Sequence, residues 1–133
     1  MLDLGSLNYL AILLAGVAKF FIGSLWFSPI LFGDLWLKET GLKKEELESP
    51  RDALLSGLFI ALLVSFSFAI LLQMLALDLR LAMAVGVIIA IGITAAQIGL
   101  SFSFEGRSLK LFLIYATQCV AEFIAVVLVL SLM

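Results

Sequence analysis

Histidine is missing from this sequence, and cysteine occurs once, at Cys119. The first absence removes the commonest metal ligand and general base. The second rules out an intrachain disulfide and a metal cluster of the cysteine type. Charge is scarce as well. Asp, Glu, Lys and Arg make up 14% of the 133 residues, against about 25% in a soluble domain. Eight basic and ten acidic side chains leave a net charge of −2, which offers little to a nucleic-acid backbone. A basic leader is also lacking. Asp3 is the only charged side chain before Lys19, and the apolar run continues into large residues, so no cleavable signal peptide is expected. Proline occurs twice, at Pro29 and Pro50, each directly after a serine.

Apolar residues fill the space. They make up 64% of the chain, where a soluble domain has about 45–50%. A polytopic membrane protein follows. Four continuous apolar tracts can each supply the roughly 20 residues a transmembrane helix needs: about 7–27, 53–77, 81–104 and 109–132. They do not alternate as barrel strands would. The fold class read from this is all-α: four transmembrane helices in an antiparallel bundle, forming one domain over 1–133, with short links.

The links set an orientation. Lys38, Lys43, Lys44 and Arg51 lie between the first two tracts, and Arg107 and Lys110 between the last two. The opposite side holds only Arg80. The positive-inside rule places the 38–52 and 105–110 links in the cytoplasm and both termini outside.

The two Ser-Pro pairs read as helix starts, with Ser as N-cap and Pro at the first helical position. Ser28-Pro29 predicts a short helix over 29–40, stopped by Gly41. Asp34 and Lys38 share its polar side at pairing distance. Such a helix is too short to span, and it is expected to lie at the membrane interface with Trp26 and Trp36 as anchors. Ser49-Pro50, with Asp52, predicts a capped start to the second span.

Lys19 and Glu122 do not belong in lipid. A charge near the bilayer centre costs about 2.5–3.5 kcal/mol on insertion scales. At about 1.5 Å per residue, counted from Ser28 and Ser108, Lys19 lies about 13 Å in and Glu122 about 21 Å in. Helical side chains lean toward their own N-terminus, so these two lean toward each other. Three readings stay open: an ion pair that sets helix register, a polar site with a ligand or transport role, or two unrelated residues. Tyr115, Gln118 and Glu122 share one face of the fourth span, and Thr94, Gln97 and Ser101 one face of the third. They read either as interhelical hydrogen bonds or as a hydrophilic seam. Ala82, Gly86 and Ala90, four apart, favour close packing, as do Gly16 and Gly23 near Lys19.

No zinc-protease, P-loop or nucleophile-elbow signature is present. A non-enzyme is expected, with no cofactor and no metal site.

Two motifs carry a resemblance. The stretch NYLAILLAGVAKFFIGSLWFSPILFGDLWLKETGL contains W-F-S-P-x-L-F-G-x-x-W: Trp26, Phe27, Ser28, Pro29, Phe32, Gly33 and Trp36. Later comes FEGRSLKLFLI, from Phe104 to Ile114, with Glu105, Gly106 and Arg107. Together these resemble the domain-of-unknown-function 1761 family of small bacterial membrane proteins. The resemblance covers nearly the whole chain. It implies a four-helix membrane protein of bacterial origin and no particular activity; with the orientation above, a bacterial cytoplasmic membrane is expected.

Two functions are carried forward. One is a small homo-oligomeric transporter or channel with a polar intramembrane seam. The other is a structural or accessory subunit that binds lipid or another membrane protein. A water-filled seam around Lys19 and Glu122 would favour the first. A dry, paired seam beside an exposed groove would favour the second.

Overall fold

The computed structural model describes residues 2–47 and 50–133, and among them the secondary structure is helical, with no strand. Helix α1 runs Tyr9–Trp26, α2 Gly33–Thr40, α3 Pro50–Leu75, α4 Leu79–Ile88, α5 Ala96–Glu105 and α6 Leu109–Leu132. A π-helical segment, Ile89–Ala95, joins α4 to α5, so Leu79–Glu105 is one continuous rod. Four rods are long and apolar enough to cross a membrane: α1, α3, α4–α5 and α6. The chain is therefore built as a multi-pass membrane protein.

Local chemistry starts and stops these helices. Asn8, Asp78 and Ser108 are N-caps whose side-chain oxygens accept from the backbone N–H of Ala11 (3.0 Å), Leu81 (2.9 Å) and Leu111 (3.1 Å). Each satisfies one of the unpaired amides of a first turn. Gly41 (φ 74°) and Gly106 (φ 68°) take the left-handed conformation that ends α2 and α5.

Small residues let the rods approach closely. Helix α1 packs on both α3 and α6, and α6 packs on α4 and the π segment. At Gly16 a Cβ would sit 2.7 Å from Leu62 Cδ2 and 3.2 Å from its Cα, so only glycine permits the α1–α3 contact as built. Ala82, Gly86 and Ala90 are buried toward α6, where Phe123, Val126 and Val127 meet them. Phe68 of α3 meets Phe123 edge-on, with ring centroids 5.1 Å apart.

Hydrogen bonds tie the rod ends. At one end the Gln73 amide accepts from Asp3 N (2.7 Å) and donates to Asp3 O (3.0 Å) and Ser6 Oγ (2.9 Å). The start of the chain is thereby held to the end of α3. At the other end Ser108 donates to Glu39 Oε2 (3.0 Å), holding α2 to the start of α6.

Three expectations need correction or limits. The helix expected from Pro29 opens instead at Gly33. Ser28 does not cap it. The Ser28 hydroxyl turns back and donates to Leu25 O (2.7 Å), while Ser28 O accepts from Leu31 N and Gly33 N. The serine thus closes the end of α1 and a tight turn over Ser28–Gly33. Asp34 and Lys38 are both exposed and form no ion pair among the described residues. Exposed partners gain little from holding two long side chains in one geometry. The second span begins at Pro50, and the cap expected at Ser49 lies outside the described residues.

Candidate functional site

Lys19 sits one turn beyond Gly16 on α1, and Glu122 lies about halfway along α6. The Lys19 ammonium forms an ion pair with Glu122 Oε2, and the Gln118 amide donates to Glu122 Oε1. Both carboxylate oxygens are therefore engaged. The Glu122 side chain is 3% exposed and that of Lys19 15%. Gln118 reaches Glu122 because residues four apart share a helix face.

Glycine makes the room for this cluster. A Cβ at Gly23 would lie 3.1 Å from Glu122 Oε1 and 3.5 Å from Gln118 Nε2. The chain thus places the carboxylate and amide directly against the α1 backbone. Gly57 on α3 is a second such position, with a Cβ there 3.1 Å from the Phe20 ring. Gly57 has no signal in the sequence, since an isolated glycine in a long apolar helix carries no periodicity.

A cleft of about 310 Å³ opens between α1, α3 and α6, with Lys19, Gln118 and Glu122 on its wall. It extends along α1 toward Ser24 and Phe27, and along α3 from Ala61 to Ala53. In the opposite direction the packing closes. Ala15, Val126 and Val127 are fully buried, and the buried Ser65 hydroxyl donates to Ile12 O (2.7 Å). The cleft is blind at the level of the ion pair.

Tyr115 takes a different part. Its hydroxyl accepts from Trp36 Nε1 (3.0 Å), and Trp26 Nε1 donates to the carbonyl of the preceding residue, Ile114 O (2.9 Å). The rings of Phe27 and Trp36 lie 5.1 Å apart, Phe27 and Tyr115 5.6 Å, and Trp26 and Phe32 5.3 Å. The first motif is a clamp: its two tryptophans grip α6 from the end of α1 and from α2. Gly33 lets the turn fold flat, because a Cβ there would meet Phe27 O at 2.5 Å and the Ser28 carbonyl carbon at 2.6 Å. Pro29 is exposed within that turn. In the second motif, Gly106 provides the left-handed stop, and Glu105 and Arg107 form an exposed ion pair at 3.6 Å. Arg107 also lies over the Phe102 ring, 5.2 Å from its centroid.

Thr94, Gln97 and Ser101 do not join the cluster. Thr94 lines an apolar groove between α3 and the π segment, and Gln97 and Ser101 are exposed on the far side of their rod. The cause is the π segment. A straight α-helix would continue the buried face from Ala82, Gly86 and Ala90 through Gln97 and Ser101. The wider turn adds one residue, and the buried face continues through Ala95 and Phe102 instead.

Over residues 10–131 the chain matches the family described as "Protein of unknown function (DUF1761)", and it belongs to that family. No curated protein and no solved structure matches it.

Proposed function

We propose, from the geometry of the cleft, that this is an accessory membrane subunit that holds a lipid between α1, α3 and α6. The four rods would form an antiparallel bundle across a bacterial cytoplasmic membrane, with α2 along its inner interface. The observation that carries the reading is the blind end of the cleft, where Lys19 and Gln118 take both oxygens of Glu122. A closed, neutral pair offers no through-path for a solute within one chain. The remaining walls are mostly apolar, with Phe20, Phe27, Leu54 and Ile60 among them. Spare Lys19 donors suit one acceptor oxygen, as on a lipid carbonyl or hydroxyl.

Native mass spectrometry in mild detergent tests this. Ala53→Phe, at the cleft wall, is expected to weaken lipid retention about tenfold, the equivalent of about 1.4 kcal/mol. Unchanged retention would remove the cleft from the account.

Transport remains the second reading, favoured by the partial exposure of Lys19 on the cleft wall. A homo-oligomer would then have to supply the missing half of a path. Solute flux into proteoliposomes that disappears in a folded Lys19→Met/Glu122→Gln variant would establish it over the accessory role.

The orientation rests on Lys38, Lys43, Lys44, Arg51, Arg107 and Lys110, which flank the end where α2 meets α6. A Lys44→Cys variant is expected to react with a membrane-impermeant thiol reagent only after cells are opened. Asp78→Cys should react from outside. Cys119 is buried and adds little background. The opposite labelling would invert the topology.

A further inference from the structure

We infer that the outward face of the third span, centred on Gln97, is where two copies of this chain meet. The inference rests on Leu79–Glu105 spanning a membrane. Gln97 is exposed, and its amide has no hydrogen-bond partner among the described residues. It lies about 12 Å along the helix from Glu105, well inside the hydrocarbon layer. An amide facing lipid there leaves donors and an acceptor unsatisfied, which the bilayer cannot repair.

The placement is built in rather than incidental. An unbroken α-helix would turn Gln97 toward α6, and the π segment Ile89–Ala95 turns it away. Such segments are rare in helices and concentrate at functional positions. The exposed Ser101 lies one turn from Gln97, and the rest of the face is apolar: Ile88, Ile93, Leu100 and Phe104 are 62%, 61%, 52% and 87% exposed. A Cβ on the exposed Gly92 would meet nothing within 4 Å, so the helix surface there is bare enough for a second backbone to come close.

The chemistry selects a second copy as the occupant. A primary amide carries both donor and acceptor, so it pairs with its own image across a two-fold axis. No charged residue lies between Arg80 and Glu105 to repel that image or to recruit a charged partner. Gln97 lines none of the four main clefts, so no cleft leads a lipid's polar atoms to it as one does to Lys19.

The test has three parts, run on the full-length protein in membranes. Resistance to alkaline carbonate extraction reports the spanning reading by itself; release into the soluble fraction would sink that reading and this one with it. Oxidative cross-linking then compares Gln97→Cys with Phe59→Cys, which sits exposed on α3. Gln97→Cys is expected to give a dimer of the chain, and Phe59→Cys none. Finally, energy transfer between labelled copies in bilayers measures dissociation. Gln97→Leu is expected to weaken the dimer about 3- to 15-fold, the range of interhelical hydrogen bonds in membranes. Gly92→Ile is expected to weaken it further. A membrane-embedded protein whose two cysteine variants cross-link equally, whose Gln97→Cys couples to a different protein, or whose dissociation ignores Gln97→Leu would overturn the proposal.

Discussion

Lys19→Met is expected to be among the most damaging single changes in the bundle, costing about 3–5 kcal/mol. It strips Glu122 of its cation while the carboxylate stays buried, with only the Gln118 amide left to hold it. Glu122→Gln is expected to cost clearly less. A neutral amide can still accept from Lys19, and the Lys19 side chain borders the cleft, so its ammonium can swing along the cleft toward Ser24. The asymmetry follows from burial: the buried partner suffers more from being left alone. Steric-trap or detergent unfolding of both variants measures it. Equal losses would mean that Lys19 is as trapped as Glu122, contrary to the geometry of the cleft.

Gly33→Ala is expected to undock α2, at a cost of about 3 kcal/mol, the upper end of ordinary overpacking. The added Cβ would press on Phe27 O and on the Ser28 carbonyl, which are backbone atoms of a turn held by its own hydrogen bonds. Nothing flexible is available to yield. Undocking removes the Trp36–Tyr115 hydrogen bond and the Glu39–Ser108 contact together. Amide exchange over Gly33–Thr40 should accelerate by about 100-fold while the four long rods stay protected. Gly41→Ala is the comparator. Its glycine has open space but a φ of 74°, so a smaller cost of about 1–2 kcal/mol is expected. Unchanged exchange over α2 in Gly33→Ala would show that the turn has slack the geometry does not contain.

Long apolar tracts are readable because the bilayer allows few alternatives to a helix. The four rods could therefore be placed from composition and length. Lys19 and Glu122 stood out for a related reason: a charge in such a tract has few places to go, and depth plus side-chain lean narrowed them further. Local geometry was less legible. Ser28-Pro29 has the composition of a helix start, yet serine also closes helix ends, and here its hydroxyl went to Leu25. Trp26 and Trp36 are expected at the interface from their residue type, and nothing in the sequence marks that both indole N–H groups donate to α6. The third span misled by a single residue. Nothing in IAIGITA marks a π turn, and that one extra residue decides whether Gln97 and Ser101 face α6 or the outside.

The central claim is that Lys19 and Glu122 act as one closed unit joining α1 to α6. A double-mutant cycle in bicelles with Lys19→Met, Glu122→Gln and the double variant tests it most directly. The account predicts that the double variant is more stable than Lys19→Met alone, because it no longer buries an orphaned carboxylate. Losses that simply add would contradict it.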